Sequence, residues 1–378
     1  MQRRTLMGSL AGVLVAAGVM APAAPAAAAA PPLPTEVTQF STPLIHPSGL
    51  FLITRGADNS VLFSRGTPST NSYGSFFSIG GQITGDPTAV ISPEGAQVFA
   101  RSGNTAVTNL VVNYNTSTGF TPIPGLAINS EVTAVRLPDA GQAPAIRIFA
   151  RDVEEGSVWT NLLVNGSPQG WVNLGGNYTD SETAAAILPQ SGLTTNVRLV
   201  VRRFQQVYTM VLDGRTGAVV TPWTLLPGMW ATNNPTLSNE GFTFVPRGNE
   251  VFVRGLNGDV WTWNFDSPGW VNLGGRGIGD VAVSIASDGG LHLHGRGVNN
   301  QAQLNRRPPG SARFGGFINL GGVLTGNISA SGGGTVNGRT VVDQFITRTR
   351  ENGISSRIML NLVGGFTSFF NIPGPPVA

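Results

Sequence analysis

The chain of 378 residues contains no cysteine and no lysine, and charged residues of all kinds make up only 11% of it. Without cysteine there can be no disulfide, no thiol nucleophile and no thiolate metal site. Without lysine, all 23 basic residues are arginine, set against 20 acidic residues. Arg3 and Arg4 belong to the N-terminal segment, so the rest of the chain holds 21 Arg against 20 Asp and Glu, a net charge of +1. No Arg-rich run exists beyond the pairs Arg202–Arg203 and Arg306–Arg307, which argues against nucleic acid as a partner. Nothing approaches ~20 consecutive strongly apolar residues, so no membrane span is expected in the mature chain. No sustained helical period follows the N-terminal segment.

That segment has the layout of an export signal. "MQRRTLMGSLAGVLVAAGVM" puts two arginines before an apolar run, and "APAAPAAAAAPPLP" supplies small residues and a Pro-rich exit. We expect residues 1–30 to be removed on maturation, leaving 31–378 secreted as a single domain. Arg3–Arg4 also fits a twin-arginine signal, and a retained anchor is the alternative. A secreted chain without disulfides must be held by its core alone.

What the chain has in abundance is glycine, 51 residues, and short alternating segments such as "VFVRG" and "LHLHG". These point to many short strands joined by tight turns. A hexapeptide led by an aromatic residue punctuates them: "FFSIGG" at Phe76, "FTPIPG" at Phe120, "WVNLGG" at Trp171, "WTLLPG" at Trp223, "WVNLGG" at Trp270, "FINLGG" at Phe317 and "FFNIPG" at Phe369. The intervals are 44, 51, 52, 47, 47 and 52 residues. A second marker, an apolar strand ending in Arg, keeps phase with it at Arg55, Arg101, Arg151, Arg202, Arg254, Arg296 and Arg348.

Within a repeat the strands can be read off. "ITGDPTAVISPEG" from Ile83 predicts a first strand and a turn at Pro93–Gly95, with "AQVFAR" as the second strand. "VFVRGLNGDVWTWNF" predicts the next hairpin, turning at Gly255–Asp259 into a third strand with Trp261 and Trp263, and the hexapeptide ends a fourth. Four antiparallel strands in ~45–50 residues make one propeller blade. The expected fold is therefore all-β, a seven-bladed β-propeller with repeats near 37–81, 82–125, 126–176, 177–228, 229–275, 276–322 and 323–374. "VTQFSTPLIHPSG" from Val37 aligns with "ITGDPTAVISPEG" but lacks a preceding hexapeptide, and the C-terminus supplies one. Joining the ends completes the cycle, which places Val37 near Gly374.

In the hexapeptide the aromatic and the Leu or Ile sit three apart, so they face opposite sides of a strand and pack against the two neighbouring blades. The Gly or Pro–Gly pair then turns the chain. Each marker Arg ends a strand where its five donors can satisfy inter-blade carbonyls, with contact to a sugar as the alternative role.

"EVFVRGLNGDVWTWNFDSPGWVNLGGRGIGDVAVSIASDGGLHLHGRG", Glu250–Gly297, resembles the repeat of the PLL-type bacterial lectins, seven-bladed propellers, and more distantly that of tectonin-type propellers. The likeness extends over the mature chain as repeat grammar and is sharp in the first, fifth and part of the third repeats. It implies binding of fucose or O-methylated sugars between blades. The family's third-strand Trp matches Trp261, with Trp263 two residues on, and Trp159; Tyr208 is a possible substitute, and elsewhere the position is Leu62 or Phe63 in the first repeat, Thr108 or Asn109 in the second and Leu304 in the sixth, with no aromatic in the seventh. The family's turn survives as "GADN" at Gly56, loosens at Gly255–Asp259 and Gly297–Asn300, and is lost elsewhere.

The residue chemistry points the same way, since sugars stack an apolar face on an aromatic ring flanked by oriented polar groups. The expected carbohydrate contacts are Trp159, Tyr208, Arg254, Asp259, Trp261 and Trp263, with packing between blades as the alternative for the tryptophans. The expected partners are glycans or glycoconjugates, and a binding or scaffolding propeller with a protein partner is the second reading. Asp86, Glu131, Asp180, Glu182 and Asp280 recur after successive hexapeptides, but their periodicity looks like turn chemistry more than the carboxyl pair of a glycosidase. His292 and His294 alternate on one strand without a third ligand nearby, so no metal or cofactor is expected. His294 stands in the register of Phe252, which favours packing.

Overall fold

The computed structural model describes residues 42–46, 49–67, 72–139, 141–188, 195–238, 249–336, 339–349, 354–359 and 370–372. The expected leader, Val37 and Gly374 lie outside the described residues, as does the expected approach of the two ends. Among the described residues there is no helix long and apolar enough to cross a membrane.

Among the described residues every element is a strand, and the strands pair antiparallel into seven sheets that follow one another along the chain. Five sheets have four strands in simple up-and-down order, and the first two carry one extra strand of two residues each. The second sheet opens with Thr88–Ser92 and Gly95–Ser102, and the fifth pairs Glu250–Arg254 with Val260–Asn264 across the Gly255–Asp259 turn, at the positions read from the sequence. The first strands lie side by side: Thr42–His46, Thr88–Ser92, Thr133–Leu137, Ala184–Ile187, Thr236–Leu237, Gly277–Ile285 and Leu324–Val336. The last of them also lies against the first, so these strands form the inner wall of a β-propeller and the sheets radiate as blades.

The core sits between blades, and the hexapeptide connects one portion of it to the next. Trp171 packs with Ile123, Ile146 and Ile148 between the second and third sheets, while Leu174, three residues on, packs with Phe149, Val197 and Leu199 between the third and fourth. Trp223 and Leu226 repeat this one interface further, Trp270 and Leu273 the next, and Phe317 and Leu320 the one after. Each fully buried aliphatic or aromatic side chain of this kind contributes roughly 1.5–3 kcal/mol. The closing glycine has its own reason. Gly176, at φ 75°, lies so close to the next repeat's Trp223 that a Cβ would fall 3.0 Å from the indole, and Gly275, at φ 73°, lies against Phe317 in the same way. A side chain there would meet both the left-handed backbone and the neighbouring ring.

A belt of polar side chains links the second to the seventh blade at the beginning of their first strands. The Glu131 N–H donates to Glu182 Oε2 at 2.8 Å, the Glu182 N–H to Asn234 Oδ1 at 3.0 Å, the Asn234 N–H to Asp280 Oδ1 at 3.0 Å and the Asp280 N–H to Asn327 Oδ1 at 3.2 Å. The Asp86 N–H serves Glu131 likewise. Each belt residue thus ties one blade to the next, and Thr133 and Thr236 add hydroxyl bonds to the following blade's Thr183 and Val281 carbonyls, each at 2.6 Å. Four of the five periodic acidic residues gather here. Asp180 does not; it holds Arg202 at 2.9 Å. Asn234 and Asn327 complete the belt and went unread because an amide stands where other repeats have a carboxylate.

Candidate functional site

The marker arginines stand at the ends of the second strands, and Arg101, Arg151, Arg202 and Arg254 turn onto the loops between blades. Arg254 is 2% exposed and donates to the carbonyls of Gly279 and Gly258, both at 2.8 Å, of Gly275 at 3.0 Å and of Arg296 at 3.4 Å. Burial lowers its pKa to about 10, where it still carries its charge at neutral pH. This corrects its expected place among the sugar contacts: its donors are committed to backbone oxygens and its head group is out of reach. Arg151 similarly bonds the Thr179 and Ser181 carbonyls, at 2.9 and 3.3 Å.

The other expected contacts are partly exposed, the aromatic ones on third strands and Asp259 in the turn just before one. Trp261 and Trp263 share one face of Val260–Asn264, as strand alternation requires, and both pack against the core between the fourth and fifth sheets. Trp263 meets Trp270 edge to face at 5.5 Å between ring centroids. Trp261 pairs across the sheet with Asn272, whose side-chain nitrogen donates to Asp259 Oδ2 at 3.1 Å, and Asn257 donates to the same oxygen at 2.7 Å. Trp261, Asp259 and Asn272 therefore form one ledge, half apolar and half polar, at the blade edge. Trp159 has the corresponding partner Asn173 and gives its indole N–H to Asp152 at 2.8 Å. Tyr208 packs against the core between the third and fourth sheets, with its hydroxyl on Gln206 at 3.3 Å and Arg203 5.1 Å from its ring. The six residues thus fall on three different sheets. Only Arg254, Asp259, Trp261 and Trp263 share one.

Two surface features had no signal in the repeats. Tyr178, Phe204, Trp230 and Leu256 are more than half exposed, on the turns after second strands or the loops into the next blade, and Tyr178 and Phe204 touch at 6.0 Å. A cleft of about 320 Å³ opens between the second and third sheets at the opposite end of the strands. Its floor is Gln97, Thr108 and Asn109, all buried, and its walls include Leu110, Ile146 and Leu163. Gln97 Nε2 donates to Thr108 Oγ1 at 2.6 Å, and Asn109 Nδ2 donates to Ser117 Oγ at 2.9 Å and the Ile79 carbonyl at 3.2 Å.

The belt carboxyls are electrostatically strained. Burial raises the Glu131 and Asp280 pKa values, and burial together with the Glu131 charge raises that of Glu182 to about 8. Glu131 Oε2 is buried without a hydrogen-bond partner, an arrangement that favours a proton. No group of three or more His, Asp or Glu suited to a metal is found among the described residues. His292 and His294 are fully buried, ring to ring at 6.3 Å, and His292 accepts from Arg306.

No family model and no curated protein matches the chain. Solved structures do. The BP39L lectin from Burkholderia pseudomallei is similar over 89% of this chain and 99% of its own, at 14% identity and a TM-score of 0.69. AofleA from Arthrobotrys oligospora is similar over 90% of this chain and 88% of its own, at 13% identity and a TM-score of 0.54. A polysaccharide lyase, an ulvan lyase bound to a GlcA(1-4)Rha3S unit, covers 89% of this chain and 95% of its own, at 12% identity and a TM-score of 0.50. At these identities the likeness is one of fold.

Proposed function

We propose that the chain is a secreted, seven-bladed lectin-type propeller that binds glycans, fucosylated or O-methylated ones among them, at blade edges. The observation that carries this is the ledge of Trp261, Asp259 and Asn272: a partly exposed indole beside a carboxylate and an amide matches a sugar's C–H face and its hydroxyls. Trp159 with Asn173 repeats the Trp–Asn pairing on the third sheet, with Trp263 and Tyr208 as flanking aromatics. Repetition around a ring raises avidity for a polyvalent glycan surface. The structural likeness to a lectin over nearly the full length of both chains supports the reading. So does the commitment of the belt carboxyls to inter-blade N–H groups, which leaves them poorly placed to serve as an acid and base pair.

A glycan array with the mature chain and with Trp261→Ala tests it. Binding that falls about tenfold or more in the variant supports the ledge, since one stacked contact with its polar neighbours accounts for about 1.4 kcal/mol or more. A folded wild-type protein that binds no glycan would move the reading to a protein-binding propeller.

A further inference from the structure

We propose that the cleft between the second and third sheets is a separate ligand site for a neutral polyhydroxylated ring, the size of a single pyranose unit; this rests on the glycan-binding reading and names a place for it that the repeats do not mark. The cleft is concave, with about 320 Å³ of space. Its floor is polar yet uncharged, and the polar groups are buried at the bottom of an open cleft. Buried amides and hydroxyls are stable only when bonded, and most of these are: Asn109 is fully engaged with Ser117, Thr118 and the Ile79 carbonyl. Gln97 is the exception. Its nitrogen holds Thr108, and its side-chain oxygen accepts nothing from the described residues, so an acceptor remains at the floor for a ligand hydroxyl.

The mouth fits the same chemistry. Glu94 is exposed on one side; Arg136 stands on the other, held by Asp139 at 2.7 Å, and the exposed Asn165 lies beside them. Arg136 is already paired with Asp139 and faces Glu94, so no net positive charge is left to draw an anion, while the amide of Asn165 and the spare donors of Arg136 can bond hydroxyls. The walls of Leu110, Ile146 and Leu163 give an apolar face to a ring's C–H groups without any aromatic residue. The residues come from two sheets, so the site exists only once the blades are docked.

The test is ligand-observed NMR with methyl α-fucoside, methyl α-mannoside and sodium glucuronate, applied to the wild type, Gln97→Leu, Thr121→Trp and Trp261→Ala. Thr121 is an exposed residue of the cleft wall, so its replacement fills the mouth without disturbing the core, should Gln97→Leu fold poorly. We expect a neutral glycoside to bind the wild type and Trp261→Ala equally and both cleft variants at least about tenfold more weakly, the effect of one lost hydrogen bond at a buried acceptor. Glucuronate should bind about tenfold more weakly than the neutral glycosides. Equal binding of glucuronate, or undiminished binding by both cleft variants, overturns the proposal. Loss in Trp261→Ala alone overturns it too while leaving the ledge standing. If no methyl glycoside binds, the cleft is refuted, and the glycan array judges the ledge independently.

Discussion

At the end of the ring where second strands turn into third strands, Arg254 spends its guanidinium on four carbonyls and Gly275 lies against the ring of Phe317. At the opposite end, Gln97 makes one side-chain bond to Thr108 and leaves its oxygen facing a cleft, and Gly310 has open space where a Cβ would go. The first end carries every periodic marker, the arginines, the closing glycines and the acidic belt, and it joins the blades. The second end carries none of them. A position repeated in every blade answers a demand made by every interface, whereas an end without such markers is free to meet a ligand.

Removing Arg254 should break that contrast most sharply. Arg254→Ala leaves several buried carbonyls without donors, and at about 1–3 kcal/mol for each unsatisfied group the loss should reach about 3–5 kcal/mol in urea unfolding. Arg254→Lys should recover little, because a single ammonium cannot span the same carbonyls. An effect within about 0.5 kcal/mol would show that the arginines decorate the ring instead of holding it.

Comparing two glycines sharpens it further. Gly275→Ala combines a left-handed backbone with a clash against Phe317 and should cost about 2–4 kcal/mol. Gly310→Ala, at φ 71° with nothing nearby, should cost about 1–2 kcal/mol from backbone strain alone. Equal losses in thermal melts would mean that the ring contact carries no weight.

The smallest expected effect concerns the belt. The folded-state pKa of Glu182, about 8, lies above its ordinary value of 4.5, so the folded protein holds a proton that the unfolded chain releases. Stability should therefore be greatest near pH 4.5 and decline as pH rises toward 8, and Glu131 and Asp280 shift in the same direction. Melting temperature should drop by a few degrees between pH 5 and pH 8, and Glu182→Gln, which keeps an oxygen for the Glu131 N–H, should flatten the profile. A melting temperature that climbs toward pH 8 would contradict the assignment.

The fold was legible because its markers are periodic and each has a mechanical cause: Trp171 and Leu174 face opposite interfaces, and Gly176 makes room for Trp223. The site was legible in part. Strand alternation placed Trp261 and Trp263 on one face, but alternation does not say how much of that face the next blade covers, and it did not reveal that Arg254 is sealed in. Asn234 and Asn327 could have been found five or six residues after the hexapeptides, had amides been counted with carboxylates. The cleft went unread because Gln97, Asn109 and Arg136 come from separate strands, and nothing in the spacing of the repeats says that they meet.

The belt has a direction. Each backbone bond from Asp86 to Asn327 runs from an N–H to the side chain of the following blade, while the Asn234 and Asn327 amides reach Asp280 from either side. Each described junction is therefore head-to-tail, and a group of blades cut from the ring would present an open donor at its trailing edge and an open acceptor at its leading edge. Such fragments are mutually complementary. A chain split between two blades should reassemble from its halves, and a fragment left without its other half should find a second copy of itself, closing a ring if the blade number permits and extending into a filament if it does not.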